Sequence, residues 1–121
     1  MKNLKKIVLS SIIMMVALIT NTSKAQSSST AELQIKTSAI CDMCKTTIEK
    51  YMAFEKGVKK STLDVDSKIL TVIYDPKKTT PEQLRIAVSK SGYDADDVPA
   101  DKKAYKKLDA CCKKGAVCND N

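Results

Sequence analysis

No histidine occurs anywhere in the 121-residue sequence, which removes imidazole from the metal-ligand inventory and from the list of catalytic bases. Aromatic residues make up only 4% of the chain, and the lysines are scattered among acids, so no basic stripe with interleaved aromatics marks a nucleic-acid surface. Pairs such as Lys59-Lys60, Lys77-Lys78 and Lys106-Lys107 read instead as parts of a solvated face of mixed sign. The uncharged apolar run from Ile7 to Ile19 falls short of the roughly 20 residues a bilayer-spanning helix needs. What remains is sulfur, and five cysteines are the soft chemistry available to this chain.

The same apolar run follows Lys2, Lys5 and Lys6 and precedes the small-residue site Ser23-Lys24-Ala25. That layout is expected to be a cleavable secretory signal peptide over residues 1–25, cut after Ala25; the competing reading, a membrane anchor, is disfavoured by the short run. The protein is therefore expected to be periplasmic or secreted. Loss of Lys2, Lys5, Lys6 and Lys24 takes the formal charge from +7 to about +3. The remaining length allows one small domain with a core just large enough to fold alone. Residues 26–30 are Ser-rich and expected to be a flexible lead-in.

Ala31 to Thr37 alternates apolar and polar residues, the period of a half-buried strand. A helix is expected from about Asp42 to near Gly57, with Cys44, Ile48, Tyr51 and Met52 inward and Lys45, Glu49 and Lys50 on the wet side. Val58 to Val65 and Lys68 to Tyr74 read as an antiparallel hairpin turning at Asp66-Ser67. Thr80-Pro81-Glu82-Gln83 supplies an N-cap, a proline at the first helical position and a glutamine placed to reach back. The helix that follows has Leu84, Ala87, Val88 and Ser91 inward and Gly92 as its left-handed terminator. Tyr93 to Val98 is expected to be a short acidic edge strand closed by Pro99. The order β-α-β-β-α-β predicts an α+β, ferredoxin-like fold, a four-stranded antiparallel sheet with two helices on one face, over residues 31–99.

Cys41-Asp42-Met43-Cys44 sits where the first strand runs into the first helix. Unpaired N–H groups and partial positive charge at a helix start favour thiolate over thiol. Soft thiolates select copper(I), mercury(II), zinc or cadmium over hard ions, and two sulfurs alone suit copper(I) or mercury(II) better than zinc, which takes four ligands.

With the element order and the cysteine pair together, residues Glu32 to about Val98 resemble the heavy-metal-associated domain family. The resemblance rests on Cys41-x-x-Cys44, on Gly57-Val58 opening the second strand and on Ser91-Gly92-Tyr93 after the second helix. The family includes copper chaperones, amino-terminal domains of metal-pumping P-type ATPases and the periplasmic mercuric-ion binding protein. It implies a carrier, not an enzyme, that holds copper(I) or mercury(II) between Cys41 and Cys44. It also implies delivery to a membrane metal transporter or P-type ATPase, and a monomer is expected. Tyr93 matches an aromatic beside the metal loop; shielding the thiolates and filling the core are both open to it, and the two are compatible. The family's methionine two residues before the first cysteine is Ala39 here, which implies a looser loop unless Ile40 fills the gap.

Residues 100–121 form an extension beyond the domain, helical in pattern from Asp101 to Leu108 and followed by Cys111, Cys112 and Cys118. Two readings stand side by side, accessory metal ligands or a disulfide from Cys118 to one of the vicinal pair. The rival for the whole protein is a thiol–disulfide oxidoreductase. Against it, Ile40 rather than an aromatic precedes Cys41, and no strand-preceding proline occurs where a cis-proline would face the pair. A third reading makes the pair only a structural staple. Asp42, Lys45, Asp94, Asp96 and Asp97 suggest electrostatic docking against a basic patch, or an acidic edge that discourages aggregation.

Overall fold

The computed structural model describes residues 29–117. The expected signal peptide, most of the lead-in and Cys118 lie outside the described residues. The elements run β1 (Ala31–Lys36), α1 (Asp42–Ala53), β2 (Val58–Asp64), β3 (Ile69–Tyr74), α2 (Pro81–Lys90) and α3 (Lys102–Lys107), then a 3-10 turn at Ala110–Cys112. The fold is α+β, and no helix among the described residues is long and apolar enough to cross a membrane.

The strand most uniformly apolar in sequence, β3, lies between β1 and β2 and pairs antiparallel with both. Its Leu70, Val72 and Tyr74 turn to the buried face with Ile35 and Leu63, where Ile48 and Met52 of α1 and Leu84 and Val88 of α2 join them in one core. Each such side chain, taken fully from water, contributes roughly 1.5–3 kcal/mol before entropy is counted. The β2–β3 turn is closed by Asp64 Oδ1, which accepts from the Asp66 and Ser67 N–H groups, and Lys68 takes a left-handed φ of 61°.

The expected fourth strand is not formed: among the described residues the sheet has three strands, and Tyr93 to Val98 contributes only an Ala95 bridge to Thr37. Ala95 and Val98 exchange both backbone hydrogen bonds at 2.9 Å across a two-residue turn in which Asp96 sits at φ 51°. The segment thus spends its ladder groups on itself. Where the ladder would continue, the Lys36 N–H donates to the Asp96 carboxylate at 2.8 Å, and the Asp96 N–H donates back to the Lys36 carbonyl.

Two more expectations shift. The first helix ends at Ala53, and Tyr51 lies on its exposed side, one step off the Cys44-Ile48-Met52 line that meets the sheet. Lys45 and Glu49 do not simply face water. Glu49 Oε1 accepts from the Leu63 N–H at 2.7 Å, and Lys45 Nζ donates to the Leu63 carbonyl at 2.8 Å. The pair, itself linked at 3.2 Å, covers backbone groups on the outer edge of β2 and clamps α1 to it. By contrast, the second helix forms as its sequence predicts: Thr80 Oγ1 accepts from the Gln83 N–H, Pro81 opens the first turn and Gly92 follows the C-cap at φ 105°.

Burial pushes the Asp96 carboxyl up, but the Arg85 guanidinium at 2.8 Å and the Lys36 N–H outweigh it and hold the group below the usual carboxylate range. A depressed folded-state pKa means a contribution to stability that is complete above the unfolded value and fades as pH falls through the folded one. Asp96→Ala is expected to lower stability by about 1–2 kcal/mol near neutral pH. In urea unfolding, the gap to the parent protein should close as pH drops below about 4.

Candidate metal centre

The loop from Thr37 to Ile40 carries the chain from β1 into the cysteine pair, and hydroxyl groups hold it. Thr37 Oγ1 accepts from the Ala39 N–H at 3.2 Å and donates to the Lys68 carbonyl at 2.9 Å, while Ser38 Oγ accepts from the Asp94 N–H at 2.9 Å. Ala39 is fully buried and Ile40 packs against the core, so hydrogen bonds and these two side chains together hold the loop.

Cys41 is the N-cap residue of α1, with extended backbone (φ −154°, ψ 175°) and no side-chain capping bond. A serine, threonine, aspartate or asparagine there typically contributes about 1 kcal/mol by capping, which a thiol does not supply. One turn on, the fully buried Cys44 points the same way, and the two Sγ atoms stand 3.5 Å apart. Cys41 also borders an open cleft of about 530 Å³ shared with Asp42, Lys45, Asp64 and Asp66.

The carboxyl-terminal segment folds back over this pair. The Ser89 hydroxyl donates to the Pro99 carbonyl at 2.6 Å, and the Asp101 N–H donates to the Ser89 carbonyl at 3.0 Å. Asp101 also caps α3 through the Ala104 N–H. Leu108 then lies over Gly92, so close that a Cβ built there would fall 3.0 Å from Leu108 Cδ2. Lys114 closes the segment: its Nζ pairs with Asp94 Oδ2 at 2.6 Å, and its N–H donates to the Tyr105 hydroxyl at 3.0 Å.

The consequence is a cluster of sulfur. Cys111 Sγ lies 4.0 Å from Cys112 Sγ and donates to the Met43 thioether at 3.4 Å. The Sγ atoms of Cys41, Cys111 and Cys112 all lie within 4.8 Å of one another, and Cys112 neighbours Cys44 as well. Tyr93 is fully buried, with its hydroxyl directed at Cys112 and Cys44 and without a nitrogen or oxygen partner among the described residues. Burial, with the Cys44 thiol alongside, pushes the Cys112 thiol well above its ordinary range, and burial likewise raises the Tyr93 phenol. An ion binding Cys112 would therefore have to displace the proton of that buried thiol.

Of the residues expected at the site, Cys41, Cys44, Tyr93, Cys111 and Cys112 meet at one place, and Cys118 lies outside the described residues. Lys45 binds the β2 backbone, while Asp94 and Asp96 are paired with Lys114 and Arg85. Met43, Ser38 and Lys114 were not legible as site residues, because they act through partners 68, 56 and 20 positions away, respectively.

Residues 37–94 match the model of the heavy-metal-associated domain, a match that ends before α3 and the Cys111-Cys112 pair. Copper chaperone CopZ of Staphylococcus haemolyticus is 33% identical over 54 residues, covering 45% of this chain and 79% of the chaperone. Copper-transporting ATPase 1 of Mus musculus is 38% identical over 55 residues, which is 46% of this chain and only 4% of the ATPase. The N-terminal domain of a potential copper-translocating P-type ATPase from Bacillus subtilis, solved in the Cu(I)-loaded state, superposes with a TM-score of 0.52 at 28% identity. That superposition covers 55% of this chain and 85% of that domain.

A buried hydroxyl whose polar neighbours are thiols gains little, since sulfur is a weak acceptor. Tyr93→Phe is expected to leave the stability of the reduced, metal-free protein within about 1 kcal/mol of the parent in thermal unfolding. A larger loss would make the phenol a true hydrogen-bond donor to the thiols.

Proposed function

The chain belongs to the heavy-metal-associated domain family, and from that premise we propose that it is an exported carrier of a soft metal ion. In this reading the ion, copper(I) in first place and mercury(II) in second, is captured as cargo by Cys41 and Cys44. It is then handed to a membrane transporter, such as a P-type ATPase, or to another thiol protein. The observation that carries the proposal is the Cys41 and Cys44 sulfur pair, 3.5 Å apart at the first turn of α1. Copper takes precedence because the relatives named above are copper proteins, and because thiolates without imidazole or carboxylate favour copper(I) over harder ions.

The local backbone supports a site kept for ligation rather than stability. Cys41 holds a capping position without capping, so the helix start forgoes a contribution that a small oxygen-bearing side chain would make. The cleft beside Cys41 supports a route for exchange. A partner thiolate arriving there reaches Cys41, the residue of the pair that lines the cleft, and it attacks the ion before the old bonds break, so tight retention and fast transfer coexist. The expected signal over residues 1–25 supports action outside the cytoplasm.

Native mass spectrometry of the reduced protein with copper(I) or mercury(II), under an excess of competing thiol, tests this reading. One ion should be retained by the parent and lost from the Cys41→Ser, Cys44→Ser double variant. Retention of neither ion by the parent would sink the carrier and leave Cys41 and Cys44 as a dithiol–disulfide couple. In parallel, Cys41→Ser alone is expected to leave the metal-free protein as stable as the parent or more stable by up to about 1 kcal/mol, since serine caps a helix. A clear loss in urea unfolding would instead give the thiol a packing role.

A further inference from the structure

The segment after the matched domain brings two more thiols to the cysteine loop, and nothing in the family match covers it. Resting on the carrier reading above, we propose that Cys111 and Cys112 complete a three-sulfur copper(I) site with Cys41, so that the folded-back tail stores the ion and its release opens the tail. Cys41 belongs to both arrangements: it captures the ion with Cys44 when the tail is away and holds it with Cys111 and Cys112 when the tail is down.

Distances favour three sulfurs over two. With metal–sulfur bonds of about 2.3 Å, a linear site needs sulfurs about 4.6 Å apart, and a trigonal site needs them about 4.0 Å apart. Cys41 and Cys44, at 3.5 Å, must spread by about 1 Å to hold an ion linearly. Cys111 and Cys112 already stand 4.0 Å apart, and the set they form with Cys41 lies within 4.8 Å throughout. The trigonal arrangement is nearly in place.

Two further observations point at the same pocket. Tyr93 directs a buried hydroxyl toward Cys112 and Cys44 with no oxygen or nitrogen to bond among the described residues, and a thiolate there would accept from it far more strongly than a thiol does. The tail itself is latched rather than adventitiously close, through the Lys114–Asp94 ion pair, the Lys114 N–H to Tyr105 bond and Leu108 against Gly92. The Met43 thioether beside Cys111 adds a soft neutral donor at the rim. Each thiol that binds copper(I) gives up one proton and no electrons move, so loading the three-sulfur site releases three protons and leaves the complex doubly negative.

The test loads the full chain anaerobically with one equivalent of copper(I), counts sulfur neighbours by X-ray absorption, and follows release to a water-soluble copper(I) chelator. The parent should give three sulfurs. The Cys111→Ser, Cys112→Ser variant should keep the ion on two and release it roughly 100-fold faster, the scale of a lost tethered ligand. Because Cys112 is buried, Cys111→Ser alone, at a half-buried position, serves as a folding-neutral check and should also accelerate release. A parent with two sulfurs, whose release rate the Cys111 and Cys112 substitutions leave unchanged, would overturn the tail site while the Cys41 and Cys44 carrier stands. Full retention by the Cys41→Ser, Cys44→Ser variant would overturn both.

Discussion

Asp94 ties together three segments that the chain reaches at widely separated points. Its N–H donates to Ser38 in the loop that delivers Cys41. One carboxylate oxygen accepts from the Ala100 N–H, where the chain leaves the domain, and the other pairs with Lys114 past the vicinal cysteines. Burial alone pushes this carboxyl up, but Lys114 and the Ala100 N–H keep it below the usual carboxylate range. A charged acceptor makes stronger bonds with its two partners than a neutral group would. Through these bonds it joins the cysteine loop to the segment that carries Cys111 and Cys112.

Around that tie, the fold separates two demands. The core of Ile35, Ile48, Met52, Leu70, Val72 and Val88 is fully buried and holds the sheet to the helices. The sulfur atoms collect at one end of that core, at the start of α1, where side-chain capping is forgone, with Cys41, Cys44 and Cys112 buried and Cys111 half-buried. Burial raises the Cys112 thiol, so a soft cation binding that sulfur would have to displace its proton.

The elements of the fold were legible because they rest on local rules. Alternation marked β1 to β3, helical spacing marked both long helices, and Thr80-Pro81 and Gly92 marked the bounds of the second. The cysteine pair was legible for the same reason, as spacing and position are properties of a short segment. What escaped was long-range substitution of side chains for backbone. Tyr93 to Val98 had the composition of a strand, but a left-handed Asp96 folded it on itself and its carboxylate replaced a ladder partner of Lys36. Lys45 and Glu49 had the spacing of a solvated pair, yet the exposed edge of β2 claimed both. The tail was visible as three thiols without an address, because the contacts that supply one, Leu108 on Gly92 and Lys114 on Asp94, join residues about 16 to 20 positions apart with no periodic signature.

The short leash between Leu108 and Cys112 has a kinetic meaning. Ligands carried on the same chain meet their target at an effective concentration fixed by the tether, in the millimolar range for short connections, whatever the dilution of the protein outside. If the tail thiols ligate an ion as proposed, small-molecule thiols of similar affinity would have to approach that level to compete, and a dilute copy of the protein would hold the ion as well as a crowded one.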